Sequence, residues 1–324
     1  MPARLAAGRA ARREGALAAG FESRFRKLRT AIADYLRIER RPSLRRPVLV
    51  AAFRGWNDGA QGATLAASFL AQAWGARRFA DIDPEEFFDF QATRPHVALV
   101  DGVTRRIDWP ETVFFHAELP GVERDVVILV GVEPNIRWRT FTNEIIELAR
   151  SLDVELLITL GALLADVPHT RPAPVTGSAT DPALIAELGL STSRYEGPTG
   201  IVGVLHDACR GVDMASASLW AAVPHYASLA ASPKAALALS ARLTSLLGAS
   251  ADLTELERAS ESYERQVSEA VSQDEDTEAY VRDLEARRDT LGDELDVPSG
   301  ESLAAELTRF LREHEARREE EGES

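Results

Sequence analysis

The sequence predicts an α/β protein with a mostly parallel or mixed sheet that helices cover on both faces. Three observations lead to this prediction. Short apolar runs without polar alternation recur between helical segments, which is typical of strands buried on both faces. The first run passes through a glycine-rich turn into a helix, as the opening of an α/β unit does. From residue 232 onward the sequence is helical and acidic, which indicates an appended helical domain.

The opening unit is a strand, a turn and a helix. The run 47–53 (PVLVAAF) predicts a buried strand, and the turn-rich segment 54–59 ends it. Residues 60–74 are rich in small side chains and predict a helix that Gly75 terminates.

Similar patterns continue to residue 231. Further strands are predicted at 86–91, 96–100, 113–117, 126–130 (VVILV), 155–160 (ELLITL) and 214–223, and further helices at 140–152, 182–188 and 201–210. Residues 161–180 are polar and rich in proline, and a loop of this length in a compact domain is usually functional or disordered.

Composition divides the chain into three parts. Residues 1–36 form a basic extension, 37–231 the α/β domain and 232–324 an acidic helical domain. The extension carries one amphipathic patch, which either contacts a membrane surface or a partner, or belongs to a mobile segment. It lacks the apolar stretch and cleavage site of a secretory signal. Helices are predicted in the acidic domain at 234–247, 253–271, 278–291 and 302–318.

Charge and cysteine content exclude several classes of function. The formal net charge is −14, which disfavours nucleic-acid binding, and no apolar run is long enough to span a bilayer. The single cysteine, Cys209, excludes internal disulfides and cysteine zinc clusters, and it fits a buried position in a protein of the reducing cytoplasm. Dinucleotide, P-loop and nucleophile-elbow motifs are absent, so we expect no cofactor and no metal.

Six polar blocks follow the predicted strands or precede the predicted helices. They are GWNDGAQG (55–62), FFDFQATRP (87–95), PNIRW (134–138), PHTRPAPVTG (168–177), YEGPTGIVGVL (195–205) and WAAVPHY (220–226). In this order they resemble the recurring blocks of actinobacterial proteins of the PAC2 (proteasome assembly chaperone 2-like) family. The resemblance spans roughly residues 36–290.

This resemblance implies a fold and a kind of function. The fold would be a three-layer α/β/α sandwich like that of the phosphorylase/hydrolase superfamily, with a small all-helical C-terminal domain. Bacterial members are expected to be homo-oligomers, with trimers the usual suggestion, and eukaryotic and archaeal relatives bind proteasome subunits as assembly chaperones. Archaeal relatives that engage the proteasome ring do so through a C-terminal tail, which consists of a hydrophobic residue, a tyrosine and one last residue. This sequence ends in EEGES, so we do not expect that docking mode.

The polar residues after the predicted strands are candidates for one shared pocket. In open α/β sheets, ligands bind beyond the carboxyl ends of the strands. The candidate pocket residues are Asn57, Asp58, Glu133, Asn135, Arg137, Asp166, His169, Arg171 and His225.

These side chains allow a catalytic and a structural interpretation. Arg137 and Arg171 suit a phosphate or carboxylate, and His169 or His225 suits proton transfer near neutral pH. Alternatively, Asn and Asp after a strand form turns or cap helices, and Arg and His beside prolines tie a loop to the body.

Two functions remain open from the sequence. The first is a non-catalytic binding or assembly protein that acts as a homo-oligomer in the cytoplasm with other proteins as partners. The second is a phosphorylase- or hydrolase-type enzyme acting on a small nucleoside-like or phosphorylated substrate, which requires two arginines and a histidine to converge.

Overall fold

The computed structural model of the chain describes residues 35–119, 121–192 and 195–291. The predicted basic extension therefore lies outside the described residues except for its last two positions. The predicted helix at 302–318 lies outside them as well.

The core of the fold is a mixed sheet of eight strands in the order β1-β3-β6-β7-β2-β8-β10-β9, and β4 and β5 form a separate two-stranded sheet. The strands are β1 Leu36–Ile38, β2 Val48–Arg54, β3 Arg77–Ile82, β4 His96–Val100, β5 Thr104–Asp108, β6 Thr112–Ala117, β7 Val126–Val132, β8 Leu156–Ala165, β9 Val175–Ala179 and β10 Ala215–Pro224. The four central strands, β7, β2, β8 and β10, are parallel to one another, and every other pairing in the sheet is antiparallel. The parallel strands have long apolar runs because both of their faces are buried.

Helices cover both faces of this sheet. The helices are α1 Gly62–Ala73, α2 Trp138–Ser151, α3 Pro182–Leu188, α4 Ile201–Arg210, α5 Pro233–Leu247, α6 Thr254–Val271 and α7 Glu275–Leu291. Alternate residues of β2 divide between two cores: Val50 packs with α1 and α5, whereas Leu49 packs with α2 and α4. The predicted three-layer α/β/α sandwich and the C-terminal helices are confirmed.

The first core continues across the predicted domain boundary at residue 232. Leu239 and Leu243 of α5 are fully buried, and they share a core with the α1 residues Ala66 and Leu70. In this arrangement α5 completes the outer layer of the sandwich, and α6 follows it in close contact. No helix among the described residues combines the length and apolar character that crossing a bilayer requires.

Two local predictions were wrong. The strand predicted at 86–91 is a 3-10 turn, Pro84–Glu86, followed by further turns, and the Asp83 carboxylate caps it by accepting from the amide of Glu85. The segment 161–180, predicted to be a loop, contains the end of β8 and the strand β9. The strands β1, β3 and β5 were also missed, because each is short or polar and has little apolar signal.

Candidate functional site

The nine predicted site residues all follow parallel strands at their carboxyl ends. Residues 57–58 follow β2, residues 133–137 follow β7, residues 166–171 follow β8, and residue 225 follows β10. Because these four strands are parallel neighbours, their following segments emerge at one edge of the sheet. Hydrogen bonds and ion pairs at this edge place eight of the nine residues in three clusters, and Asp58 caps a helix separately.

The first cluster centres on Glu133. Its Oε1 accepts a hydrogen bond from the backbone amide of Ile201 at 2.8 Å and one from the Asn57 side-chain amide at 3.3 Å. Its Oε2 accepts from the backbone amide of Trp56 at 3.3 Å. Ile201 begins α4, so the carboxylate satisfies an otherwise unpaired amide and lies where the helix dipole is positive. Glu133 therefore joins the loop after β2 to the start of α4.

Gly200 permits this close approach. A Cβ atom at Gly200 would lie 2.2 Å from Nδ2 of Asn57 and 2.7 Å from Oε1 of Glu133, so no larger residue fits without rearrangement. Neither Gly200 nor the Ile201 amide was among the predicted site residues. The GPTG turn before a predicted helix was the signal that could have indicated them.

Asp58 caps the first turn of α1. Its Oδ1 accepts from the amides of Ala63 at 2.8 Å and Thr64 at 3.2 Å, and its Oδ2 accepts from the Thr64 hydroxyl. Burial raises the pKa of Asp58, and the hydrogen bonds from Thr64 and Ala63 offset part of this increase. These contacts match the structural interpretation of Asp58 as a helix cap.

The second cluster, Asn135 and Arg137, holds the segment around residues 84–93. Oδ1 of Asn135 accepts from the amide of Asp89 at 2.9 Å and from the hydroxyl of Thr93 at 3.0 Å. Arg137 forms an ion pair with Glu86, and its guanidinium carbon lies 5.8 Å from the centre of the Tyr35 ring. Arg137 also has a positive φ of 57°, an uncommon backbone conformation for a residue with a side chain.

The third cluster joins the loops after β8 and β10 to the helices α6 and α7. The Tyr280 hydroxyl donates to Oδ1 of Asp166 at 3.0 Å, and Nδ1 of His225 lies 3.2 Å from the same oxygen. Burial, followed by the interaction with Asp166, raises the pKa of Tyr280 to about 12, so this hydroxyl stays protonated at neutral pH.

His169 is the most enclosed member of the third cluster. It is 2 % exposed, its Nδ1 lies 2.9 Å from the Tyr226 hydroxyl, and its Nε2 lies 2.9 Å from Oγ of Ser268 on α6. The Tyr226 oxygen also accepts from the His169 amide at 2.8 Å, so one phenol group contacts both the backbone and the ring of His169. Burial and then the charge of Lys234 lower the pKa of His169, so its neutral form is favoured.

Arg171 completes the third cluster. Its Nε and Nη2 donate to the two carboxylate oxygens of Asp289 at 2.9 and 2.8 Å, and its Nη1 lies 3.5 Å from Oε1 of Glu285. Both carboxylates belong to α7. The bidentate pairing with Asp289 raises the pKa of Arg171 further above its already high value.

The contacts do not place Arg137, Arg171 and His169 in one hydrogen-bonded set. Arg137 pairs with Glu86, Arg171 pairs with α7, and His169 contacts α6. The cavity that His169 and Arg171 line measures about 10 Å³, which is barely room for one water molecule. The shared ligand pocket stays a prediction, and a bound anion at this edge would test it. Among the described residues, no group of three or more His, Cys, Asp or Glu side chains is arranged to hold a metal ion.

The fold and this edge define a class of protein. It is a three-layer α/β/α protein whose C-terminal helices contact the loops at the carboxyl edge of the sheet. The PAC2 family profile matches residues 52–271, and the chain belongs to the PAC2 family.

Several solved structures are similar to this chain. A PAC2 family protein from Streptomyces avermitilis is 43% identical, with a TM-score of 0.66 over 72% of this chain and 99% of that one. A Mycobacterium tuberculosis proteasome-assembly chaperone homologue is 45% identical, with the same TM-score and coverage of 72% and 99%. PbaB of Pyrococcus furiosus, an archaeal proteasome activator, is 18% identical with a TM-score of 0.61 over 72% of this chain and 97% of that one, which shows a shared fold. No curated protein matches the sequence.

Proposed function

We propose that this chain is a non-catalytic binding and assembly protein of the actinobacterial PAC2 type, which acts in the cytoplasm as a homo-oligomer and binds other proteins. The observation that carries this proposal is an apolar face on the hairpin formed by β4 and β5. The similarity to a proteasome-assembly chaperone homologue supports the same kind of role.

The hairpin lies outside the main sheet. Its two strands pair with each other only, and two-stranded hairpins alone are marginally stable in water. Val97 pairs with Ile107, and Leu99 lies on the same face because strand side chains alternate. Leu99 pairs with Arg105, so this apolar face carries one charged side chain at its end. These three side chains are 62%, 52% and 64% exposed, respectively. An exposed apolar strand face of this kind is typical of a protein interface.

The occupant that we propose for this face is the hairpin region of a second copy of the chain. Three copies related by a three-fold axis would bring Val97, Leu99 and Ile107 together around that axis and remove them from water, at roughly 25 cal/mol per Å² of apolar area. Closed cyclic assemblies are the usual result of such interfaces, and a trimer is the form that we propose.

The polar edge supports a non-catalytic role over an enzyme. A phosphoryl-binding site needs arginines free to contact the substrate, whereas Arg137 and Arg171 each form ion pairs with carboxylates of this chain. His169 has both ring nitrogens occupied by hydroxyl groups. We therefore assign these residues to holding the loops and the C-terminal helices in place.

Oligomeric state tests the interface directly. Val97→Glu places a charge on the apolar face and should convert the oligomer to monomer in sedimentation velocity, because burying a charge at an interface is costly. Thr104→Glu, on the opposite face of the same hairpin, is the matched control and should leave the oligomer intact. A monomeric wild-type chain, or equal dissociation by both variants, would refute the interface.

Binding to proteasome subunits tests the assembly role. The full chain should form a complex with purified actinobacterial proteasome α or β subunits, detected by native mass spectrometry, and it should alter the rate at which those subunits form rings. If the chain binds neither subunit and does not change the rate of ring formation, the proposed partner is contradicted. The result on the oligomeric state would not be affected.

A further inference from the structure

The hairpin of β4 and β5 has two free edges in addition to its apolar face. Each strand pairs with the other and with no further strand among the described residues. Natural edge strands are usually blunted by charged side chains or proline, whereas β4 (HVALV) contains no Lys, Arg, Asp, Glu or Pro. The outward backbone groups of both strands are therefore available to a partner strand.

The hairpin is well ordered before any partner binds. Its turn contains Asp101 and Gly102, whose φ angles of 54° and 71° are typical of the type I′ turn that matches the twist of the flanking strands. At its base, the Trp109 ring packs edge-on against Phe90 with a centroid distance of 4.9 Å. Association of such a hairpin costs little conformational entropy, because the strands are already formed.

The two faces of the hairpin differ in polarity. Val97, Leu99 and Ile107 lie on one face, whereas the other carries Arg106 and Asp108, which form an ion pair at 2.7 Å. The wall of a small closed β-barrel shows the same division, with apolar side chains directed inward and polar side chains directed outward. The hairpin therefore has the pattern of one section of such a wall.

A three-fold axis turns the two free edges into one closed barrel. Around this axis, β5 of one copy lies beside β4 of the next copy, and the two run antiparallel as they do within one hairpin. Three hairpins of two strands each give six strands, and the last pairing returns to the first copy, so no edge stays free. A two-fold dimer would instead pair one kind of edge with itself and leave the other exposed.

Two charges at the tip of the hairpin also suit this arrangement. Arg105 pairs with Leu99 and so lies at the tip end of the apolar face, and Asp101 lies in the adjacent turn. Neither side chain forms an ion pair or a hydrogen bond with another residue in the described part of the chain. Diagonal neighbours on adjacent strands are within reach of a long side chain, so Arg105 can reach Asp101 of the neighbouring copy.

We infer that the hairpins of three copies pair edge to edge into a closed six-stranded antiparallel barrel, with Arg105 of each copy paired to Asp101 of the next at its mouth. This inference rests on the proposed function, because it requires the three-copy assembly. It adds the mode of pairing: the copies share backbone hydrogen bonds along the edges of β4 and β5 as well as apolar contacts.

Disulfide formation between mixed copies tests the edge pairing. Copies with Ala98→Cys are mixed with copies that carry Arg106→Cys, and variants at Thr104 and Asp108 sample the neighbouring registers. These positions lie on the polar face, and the Cα atoms of facing residues on adjacent antiparallel strands are about 4.5–5.5 Å apart, within the range of a disulfide. We expect a disulfide between the two kinds of copy at one register. The native Cys209 is buried and should not react.

The outcomes separate this inference from the proposed function. A trimer that forms no such disulfide at any register would overturn the barrel alone, because it would show that the copies meet only through their apolar faces. Disulfides between two copies of Ala98→Cys would overturn it as well, since they require like edges to pair. A wild-type chain that sediments as a monomer would contradict both the proposed trimer and the barrel.

A double-mutant cycle tests the ion pair at the mouth. Light and heavy trimers are mixed, and native mass spectrometry follows the rate of subunit exchange. Asp101→Asn, which tolerates the positive φ of this position, and Arg105→Gln should each speed exchange about 5-fold. The double variant should be no faster than either single variant, because both remove the same contact. Arg106→Gln is the control: its partner Asp108 belongs to its own copy, so exchange should stay at the wild-type rate.

Two results would overturn the ion pair. The first is an exchange rate that neither single variant changes. The second is a double variant whose acceleration is the product of the two single effects, about 25-fold, because residues that do not interact have additive free energies.

Discussion

Glu133 offers a direct test of how the carboxyl edge is held together, through the substitution Glu133→Ala. The wild-type side chain is half-buried and accepts hydrogen bonds from Ile201, Asn57 and Trp56. Alanine removes all three contacts at once. The amide of Ile201 at the start of α4 then loses its partner, and the loop after β2 loses its attachment to that helix.

The size of the effect follows from these contacts. A hydrogen bond to a charged group contributes about 1.5–3 kcal/mol, and loss of a side chain that caps a helix costs about 0.5–2 kcal/mol. The 2.8 Å contact with Ile201 dominates, because the other two are long at 3.3 Å. We expect Glu133→Ala to lower the free energy of unfolding by about 2 kcal/mol, which corresponds to a Tm decrease of about 4–8 °C for a domain of this size. Glu133→Gln keeps one acceptor oxygen and should cost about half as much.

Urea unfolding followed by circular dichroism at a fixed protein concentration measures this difference. The matched control is Glu147→Ala on α2, whose carboxylate makes, within the described part of the chain, a single 4.0 Å ion pair in its own helix. That control should stay within about 0.5 kcal/mol of wild type, as surface substitutions usually do. A Glu133→Ala value equal to that of the control would refute the assignment of Glu133 as the residue that links these segments. Amide exchange should also increase at residues 200–204 and 55–58 in Glu133→Ala.

Three further predictions concern other parts of the fold. Arg171→Ala should raise amide exchange in α7 several-fold while leaving the main sheet protected, because the pairings with Asp289 and Glu285 hold that helix; unchanged exchange would contradict this. Burial lowers the pKa of His206 to about 4, so the contribution of its neutral ring to stability is complete above pH 6.5 and is lost as the pH falls toward 4. At about 1.4 kcal/mol per pH unit, the loss of unfolding free energy is at most about 3 kcal/mol. This loss should be absent in His206→Gln when unfolding is measured across the same pH range. Burial raises the pKa of Cys209 to about 12, so a thiol reagent should modify it only after urea unfolding, and fast labelling of the folded chain would contradict its buried position.

The sequence by itself determined the fold class and the strands that form the centre of the sheet. Segments 47–53, 126–130 and 155–160 were predicted as buried strands, and they correspond to β2, β7 and β8. Continuous apolar runs bounded by turns are a local signal, so no knowledge of distant contacts was needed. The same reasoning predicted that the nine candidate residues emerge at one edge of the sheet, since neighbouring parallel strands end on the same side.

Contacts between distant segments decided the rest. The prediction of a strand at 86–91 was wrong because Phe87 and Phe88 are both buried in turns. The alternation of apolar and polar residues along the sequence does not indicate such a pattern. The partners of the candidate residues lie far along the chain: Ile201 is 68 residues from Glu133, and Asp289 is 118 residues from Arg171. Only packing of the helices on the sheet brings such groups within hydrogen-bond distance. For that reason the sequence identified the polar residues of this edge, whereas the tertiary structure determined which distant segments they bind.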